Sequence, residues 1–293
     1  MSCCGWCGAA IPAHAARREH RVRCVRCGTW STEPMPDEEA LERAYGGWYR
    51  PESGRFTGIG DSLLRRFRGR LARRLDRIAP PGPILDVGAG DGALLDALRS
   101  HGRSAVGIDR HSSHPEVRDE GLDQVGGRWA GVVFWHSLEH LPCAGDSLDR
   151  AVSSLEPRGV VVIAMPNLAS LQAAVFGDAW FAIDYPRHLV HVPATVLLAR
   201  LRRLGLRVDR VSYLRGGQVV FGWLYGLVGR LPGRPDLYDA IRRPEARRSS
   251  MCGSRRIVPL AAALLLLPVA WLGAALELAL GRGGSVYVEA RRV

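Results

Sequence analysis

Residues 83–110, PILDVGAGDGALLDALRSHGRSAVGIDR, decide the fold. Residues 84–87 are a short apolar run, and glycines follow at positions 88, 90 and 92. Residues 93–99 have the apolar spacing of a helix, and SAVGID then ends in Asp109, twenty-three residues after Asp86. This order predicts a strand, a glycine-rich turn, a helix and a second strand, with a backbone that approaches a ligand closely at the turn.

An acid at the end of the second strand can bind ribose hydroxyls, so dinucleotide binding is one interpretation of this stretch. Asp86 in D-V-G-A-G-D-G favours another, because the stretch resembles the first motif of class I S-adenosylmethionine-dependent methyltransferases. The resemblance implies that Asp109 holds the cofactor's ribose. It also implies that the turn cradles the methionine part of S-adenosylmethionine through Asp86, Gly88, Ala89, Gly90 and Gly92.

Two later stretches extend the resemblance. GVVFWHSLEHL (131–141) resembles the fourth-strand motif of the branch that includes the ubiquinone and menaquinone methyltransferases, and LEPRGVVVIAMPN (155–167) resembles the fifth strand. The resemblance covers about residues 80–214 and returns at the C-terminal strand. It implies an α/β fold, a doubly wound and mostly parallel seven-stranded sheet with helices on both faces.

The region that normally holds adenine is short. Only twenty-two residues separate Asp109 from Val132. Asp123 and Glu120 are the candidates for the acid that contacts the adenine amine.

His136, Glu139 and His140 form an HxxEH motif. On a helix, spacings of three and four place these side chains on one face, which would suit a metal ion. The alternative, which we favour, is that they shape the floor of the cofactor and substrate site, with His136 on the cofactor side.

The N-terminal region contains two CxxCG knuckles separated by sixteen residues. Two such knuckles supply four thiolates to a closed tetrahedral Zn²⁺ site, which is structural rather than catalytic. Cys3 is an alternative to Cys4, but only Cys4 has CxxC spacing. The predicted zinc ribbon spans residues 1–33, with the ligands Cys4, Cys7, Cys24 and Cys27.

Residues 34–60 are rich in Pro and Gly and are interpreted as a linker and lid. A basic amphipathic helix follows and begins the methyltransferase domain, residues 61–293. Its arginines indicate a solvated face or a membrane or RNA contact, and its apolar face carries Leu63, Leu64, Phe67, Leu71, Leu75 and Ile78.

SLQAAVFGDAWFAIDYPRHLVHV (170–192) follows the predicted fifth strand and therefore lies at the mouth of the methyl-donor site. Methyl transfer to a hydroxyl needs a base, so His188 is the candidate base, Asp184 its orienting partner and His191 a reserve. The predicted substrate residues are Trp180, Tyr185, Arg187 and Asn167. The structural alternative is an Asp184–Arg187 ion pair, with His188 capping the next helix.

Residues 204–214 and 284–292 are predicted as the last two, antiparallel strands, with an insertion at 215–283. The insertion has an arginine-rich part and then an apolar segment, 257–280, which Pro268 is expected to split into a broken helix or shallow hairpin. Peripheral contact with an anionic membrane is one interpretation, and packing on protein or in a dimer is the other. The arginines are Arg242, Arg243, Arg247, Arg248, Arg255 and Arg256.

Composition narrows the function. Hydrophobic residues make up 47% of the 293, enough for a large core, and the net charge of +11 comes from arginine with no lysine. The N-terminus lacks a signal-peptide pattern, so we expect a cytoplasmic protein at most peripheral to the inner face of the membrane.

The predicted acceptor is a small molecule, sugar or lipid-linked group, methylated on oxygen rather than carbon. The alternatives are an RNA methyltransferase, less favoured because no aromatic and basic interleaving marks a stacking surface, and a non-catalytic membrane-associated binding protein.

Overall fold

The computed structural model describes residues 2–46, 56, 60–110, 112, 114–214, 217–247 and 253–293. Most of the expected lid, Arg248 and Cys252 lie outside these ranges. The described strands are β1 (Arg17–Arg18), β2 (Arg21–Arg23), β3 (Trp30–Thr32), β4 (Ile84–Val87), β5 (Ala105–Ile108), β6 (Val117–Arg118), β7 (Trp129–Trp135), β8 (Leu155–Pro166), β9 (Val190–His191), β10 (Leu206–Ser212) and β11 (Ser285–Arg292). The described α-helices are α1 (Glu38–Tyr45), α2 (Gly60–Ile78), α3 (Ala93–Ser100), α4 (Ala144–Ser153), α5 (Leu171–Phe176), α6 (Ala194–Arg203), α7 (Gly217–Val228), α8 (Leu237–Ile241) and α9 (Gly253–Ala279).

The main sheet has seven strands in the order β10-β11-β8-β7-β4-β5-β6. The five strands from β8 to β6 are parallel, while β11 is antiparallel to both β8 and β10. The order reverses between β4 and β7, so a crevice opens beyond their carboxyl ends, where ligands bind in such sheets. The predicted doubly wound sheet is confirmed.

Alternating side chains build a core on each face of the sheet. On β7, Val132 and Phe134 pack on the side of α4 and α6, while Val133 packs on the side of α2 and α3. This period of two is expected for a strand that is buried on both faces.

The cysteine-bearing region packs directly on the main domain. Trp6 is buried in the core shared with α4 and α6, and the Arg200 guanidinium lies 5.1 Å from its ring centroid. Gly145 N donates to Gly5 O at 3.1 Å. A Cβ on Gly145 would come 1.9 Å from Trp6 O, so the start of α4 needs a glycine for this close approach.

Helix α2 is amphipathic as predicted, but only its second half is buried. Leu71 and Leu75 pack in the core, whereas Leu63, Leu64 and Phe67 are exposed. The arginines of α2 are not all solvated. Arg74 donates to both carboxylate oxygens of Glu289 on β11, at 2.9 and 2.7 Å.

The insertion between β10 and β11 is helical. The expected break at Pro268 is wrong, because α9 continues through both Pro259 and Pro268. Each proline removes a single backbone donor, and the turns after Pro268 are held by burial of Ala270 and Ala274 against α7.

The arginine-rich segment before α9 faces the protein. Arg242 is buried with its guanidinium 5.2 Å from the Tyr238 ring centroid. Arg243 donates to Phe56 O, and Arg256 donates twice to Ala240 O. The expectation that these residues form a polybasic surface is therefore wrong for these three arginines, since they satisfy main-chain carbonyls or pack on a ring.

Candidate active site

The turn between β4 and α3 is hydrogen-bonded to the carboxyl end of β5. Gly88 N and Ala89 N donate to Ile108 O at 2.8 and 3.1 Å, and Gly90 N donates to Asp109 Oδ2 at 2.9 Å. Gly88 and Gly90 have φ of +78° and +61°, values that favour glycine. The predicted pairing of a glycine-rich turn with the acid that ends β5 is therefore present.

The end of β7 presses against this turn. A Cβ on Gly88 would come 2.4 Å from the Ser137 Cβ, so any larger residue would displace one of the two segments. Ser137 Oγ also donates to Val87 O. Sequence reasoning missed Ser137, although its place inside HSLEH, directly after the apolar strand, was a signal.

The remaining predicted cofactor residues lie at the same edge, apart from Gly92. Asp86 is buried on β4, and His136 directly follows β7 with a φ of +53°. Gly92 is the N-cap of α3 with a φ of +70°, and a Cβ on it would come 2.5 Å from the His114 Cδ2. The structure therefore gives Gly92 a role in closing the turn onto the helix.

The two adenine candidates separate. Asp123 lines a small cavity with Trp129 and Ser154, at the amino ends of β7 and β8. Ligands of such sheets bind at the carboxyl ends, so Asp123 is wrong as an adenine contact. Glu120 follows the carboxyl end of β6 and stays a prediction.

A cluster of buried and half-buried histidines occupies the neighbouring part of this edge. The rings of His140 and His188 are 4.7 Å apart and edge-on, and those of His188 and His191 are 6.4 Å apart. His188 Nδ1 lies 2.8 Å from Ala182 O, so this nitrogen carries the proton and donates it. The Nε2 atom of His188 is therefore a proton acceptor, 3.6 Å from Asp184 Oδ2.

Burial keeps the neighbours of His188 neutral. It lowers the pKa of His140 to about 4 and that of His191 to about 3, and the nearby His188 contributes to both shifts. Burial raises the pKa of Glu139, but His136, His140 and His188 outweigh this and leave the pKa below its ordinary value. At neutral pH the imidazoles of His140 and His191 are therefore neutral, and the Glu139 carboxyl is ionised.

Glu139, His140 and His188 also have the composition of a cation site. Each offers one ligand atom, and these atoms lie within 4.8 Å of one another. Within the described part of the chain, neither carboxylate oxygen of Glu139 forms a hydrogen bond, although His136 Nδ1 lies 3.4 Å from Oε1. Imidazole and carboxylate are ordinary ligands of divalent metals.

The ion pair of the structural alternative is present beside His188. Arg187 donates to both carboxylate oxygens of Asp184, at 3.0 and 2.5 Å, and to Ala44 O on α1 at 3.2 Å. Arg187 is thus already paired and buried, which is against the predicted substrate contact. His188 does not cap the next helix, α6, which begins at Ala194. The His188 ring instead contacts Ala182 O and the Asp184 carboxylate.

Three other predicted substrate positions turn away from the histidine cluster. Trp180 is buried in the hydrophobic cluster with Trp223 of α7, and Tyr185 stacks on His20 with ring centroids 4.0 Å apart. Asn167 donates to Gly283 O and accepts from Ala194 N, so its amide ties β8 to the start of β11 and α6. Both side chains are buried in internal contacts, which is against the predicted substrate contacts of Trp180 and Asn167.

The four predicted metal-ligating cysteines converge. Their sulfur atoms lie within 4.8 Å of one another, with 3.6 Å between Cys4 and Cys27 and between Cys7 and Cys24. A tetrahedron with Zn–S bonds of about 2.3 Å has edges of about 3.8 Å, so the sulfurs fit such an ion. Cys3 is exposed and outside the cluster, as the CxxC spacing predicts.

This cysteine-bearing ribbon holds the backbone of the histidine segment. Strand β3 pairs with β9, with Trp30 opposite His191 and Ser31 opposite Val190. Thr32 Oγ1 donates to His188 O at 2.7 Å. Sequence reasoning missed Thr32, because a pairing across more than 150 residues leaves no local signal.

Helix α1 closes the other side of the cluster. The Tyr45 hydroxyl lies 2.9 Å from His140 Nδ1, which is also 2.9 Å from Arg187 O. Sequence reasoning assigned this region to a lid but did not single out Tyr45. The contact places a residue of the expected lid on a site histidine.

Comparison with known proteins adds a family match. The family model of a methyltransferase domain matches residues 62–211. The chain is 29% identical over 148 residues to the ubiquinone biosynthesis O-methyltransferase of Azorhizobium caulinodans, covering 44% of this chain and 58% of that protein. It therefore spans less than two thirds of this curated relative.

Similar solved structures have lower identity. A SAM-dependent methyltransferase from Archaeoglobus fulgidus is 16% identical, with 78% of this chain and 94% of that chain covered and a TM-score of 0.47. A magnesium protoporphyrin IX methyltransferase from Synechocystis PCC 6803 with bound SAM is also 16% identical. That match covers 59% of this chain and 82% of that chain, with a TM-score of 0.39.

Proposed function

The chain belongs to the methyltransferase-domain family, and we propose that it transfers the methyl group of S-adenosylmethionine to a hydroxyl of a small-molecule, sugar or lipid-linked acceptor. The class I resemblance drawn from the sequence is confirmed by the family match. One observation carries the proposal. A glycine turn supported by Asp109 and a buried histidine cluster share the carboxyl edge of one sheet.

The cofactor would lie on the glycine turn. The turn's backbone would cradle the methionine part, Asp86 would contact it, and Asp109 would receive the ribose hydroxyls. His136, at the end of β7, would form the floor. The sulfonium methyl of the bound cofactor would supply the electrophile.

His188 would remove the acceptor's proton. Its Nδ1 donates to Ala182 O, which orients the ring and leaves Nε2 as the base. When bound, S-adenosylmethionine would supply the methyl group and leave as S-adenosylhomocysteine, and His188 Nε2 would take up the proton that the acceptor hydroxyl loses. The Asp184 carboxylate, 3.6 Å away, would stabilise the imidazolium. The similarity to an O-methyltransferase supports an oxygen acceptor.

The ribbon would hold a structural Zn²⁺ through Cys4, Cys7, Cys24 and Cys27. The sulfur separations support this ion. By ordering the ribbon, the ion would also fix the backbone of His191, because β3 of the ribbon pairs with β9.

A second role for the histidine cluster is a divalent cation site. The buried Glu139 carboxylate, without a hydrogen bond among the described residues, favours it. Metal analysis of purified protein tests this directly. One zinc per chain means that only the ribbon is loaded, whereas a second metal that is lost in Glu139→Gln assigns the cation to the cluster.

Calorimetric titration with S-adenosylmethionine and S-adenosylhomocysteine tests the proposed function first. Saturable binding that Asp86→Ala abolishes supports the cofactor and justifies a screen of hydroxyl acceptors. If neither compound binds to folded, zinc-loaded protein, the proposal of an enzyme is overturned and a non-catalytic binding protein is favoured. RNA binding with a steep salt dependence would instead favour the RNA methyltransferase.

A further inference from the structure

Helix α9 exposes many of its large apolar side chains and buries mainly small ones. Apart from Pro259, its fully buried residues are small or polar, namely Ala270, Ala274 and Glu277, and Gly273 lies against Trp223. Leu266, Leu267 and Leu278 are half-buried. Its other large apolar residues face outward, with Leu265 80% exposed and Leu264 73% exposed. The exposed set is Ile257, Val258, Leu260, Leu264, Leu265, Val269, Trp271, Leu272 and Leu276. A surface helix of a globular protein has the opposite arrangement.

The inward face of α9 is tightly fitted. A Cβ on Gly273 would come 2.6 Å from the Trp223 ring, so the two helices approach as closely as glycine allows. Glu277 is fully buried and accepts hydrogen bonds from Gln172 Nε2 at 2.8 Å and Trp223 Nε1 at 2.6 Å. These contacts fix which face of the helix points away from the protein.

Helix α9 is tied to one protein surface near both of its ends. Arg256, close to the start, donates to Ala240 O on α8, and Glu277, close to the end, is held by α5 and α7. Strand β11 begins at Ser285 and pairs with β8 in the main sheet. The segment Arg256–Ala279 has the length and hydropathy of a membrane span. A helix tied in this way lies along a surface instead of crossing a bilayer.

The outer face is long and carries nine exposed large apolar residues. The 27 residues of α9 extend over about 40 Å at 1.5 Å per residue. Contiguous apolar patches above a few hundred Å² mark interaction sites. Trp271, 61% exposed, is amphipathic in the way that suits the boundary between lipid headgroups and acyl chains.

Arginines near this helix supply positive charge. Arg230 and Arg234 follow α7, Arg282 follows α9, and all three are exposed. Arg230 donates to Val175 O and Arg282 donates to Ala169 O, but both stay exposed, unlike the buried Arg242. Within the part of the chain that the structure describes, none of the three exposed arginines is in an ion pair. Basic residues beside an apolar helix favour a surface with anionic headgroups over a second, equally basic copy of the chain.

We propose that α9 docks the protein in plane on an anionic lipid bilayer, with the face carrying Leu264, Leu265 and Leu272 entering the headgroup and acyl boundary. Trp180, four residues before Asp184, packs in the cluster that the inward side of α9 forms with α7. The docking itself does not depend on the proposed methyl transfer.

Vesicle flotation of the full-length, zinc-loaded protein tests the docking. The vesicles are phosphatidylcholine with or without phosphatidylglycerol. We expect the protein to float with the anionic vesicles, less so in high salt, and the triple variant Leu264→Ser, Leu265→Ser, Leu272→Ser to float at least about tenfold less. The matched control, Leu63→Ser with Leu64→Ser, changes exposed apolar residues on α2 and should float like the wild type.

Failure of the wild type to float on either vesicle would overturn the proposal. So would equal loss of flotation in the control variant. Light scattering supplies the competing outcome, because a dimer that dissociates in the triple variant, without any vesicle binding, would assign the face to a second copy. Circular dichroism and cofactor titration of the triple variant show that it is folded. A failure of the cofactor titration in the wild type affects the methyl-transfer proposal alone.

Discussion

Thr32 Oγ1 donates a hydrogen bond to the main-chain carbonyl of His188 at 2.7 Å, across 156 residues of chain. The same ribbon strand places Trp30 opposite His191. Strand β3, which follows the four-cysteine cluster in the chain, therefore holds the backbone of two histidines of the candidate site. The ribbon acts on the acceptor side of the site, since the glycine turn is built from β4, β5 and β7.

Loss of the proposed ribbon zinc should impair methyl transfer to the acceptor and leave cofactor binding nearly unchanged. In Cys24→Ser we expect the zinc content to fall, methyl transfer to drop at least about tenfold, and S-adenosylmethionine affinity to stay within about threefold. Metal analysis, a turnover assay and calorimetry measure the three quantities. Cys143→Ser, at an exposed cysteine outside the cluster, should change none of them. Full activity of a zinc-free protein would contradict this coupling.

Thr32→Val tests the same coupling with the metal retained. The loss of one hydrogen bond, worth about 0.5–1.5 kcal/mol, should lower kcat several-fold and leave the zinc content and the cofactor Kd unchanged. A cofactor Kd that rises in parallel with the loss of kcat would instead indicate a general loss of stability.

Removal of the Asp109 carboxylate should weaken cofactor binding. It accepts from Gly90 N and would also receive the ribose hydroxyls. Loss of hydrogen bonds to a charged group, about 1.5–3 kcal/mol, corresponds to an S-adenosylmethionine Kd raised about 10–100-fold in Asp109→Ala. Calorimetry measures the change. Asp123→Asn, at the opposite end of the sheet, should bind as the wild type does, and weak binding there would restore it as an adenine contact.

The base assignment predicts a split between chemistry and binding. His188→Gln should lower kcat by about 10²–10⁴-fold, the usual contribution of a positioned base, and leave the cofactor Kd unchanged. His101→Gln, at the exposed end of α3, is the control. Wild-type turnover in His188→Gln combined with a large loss in His191→Gln would move the base to His191.

Glu289 predicts a pH dependence of stability. Burial raises the pKa of this carboxyl, but Arg74 and Tyr287 outweigh the burial and hold the pKa below its usual value. A carboxyl with a depressed pKa in the folded state stabilises the protein above its unfolded pKa, and this stabilisation is lost as the pH falls through the folded value. Glu289→Gln should therefore lower the free energy of unfolding by about 1–3 kcal/mol at pH 7.

Urea denaturation at neutral and acidic pH measures this difference. The gap between wild type and Glu289→Gln should narrow as the pH falls through the folded pKa, because the wild-type carboxyl also becomes neutral. Glu38→Gln, exposed in the first turn of α1, serves as the control. A gap that is constant with pH would mean that Glu289 acts through packing rather than charge.

The glycine turn, the strands around it and the cysteine cluster were predictable from sequence because their signals are local. Alternate glycines in residues 88–92 require positive φ, apolar runs mark the buried strands, and CxxC spacing fits a tetrahedral ion. Residues 170–192 were not predictable in the same way, since aromatic, acidic and basic side chains in an irregular segment can face either way. Trp180 and Asn167 turned inward, while His188 and His191 remained in the cluster.

The sequence by itself determined the sheet, its glycine turn and the spacing of the four clustered cysteines, because each depends on backbone geometry within a few residues. Only the tertiary structure decided that β3 pairs with the histidine segment and that Arg187 forms an ion pair with Asp184. It also decided that α9 packs small side chains against the protein. Those choices depend on which surfaces meet across long stretches of chain. Hydrophobic periodicity places a residue on a face, but close packing against Trp223 decides which face of α9 is left for a partner.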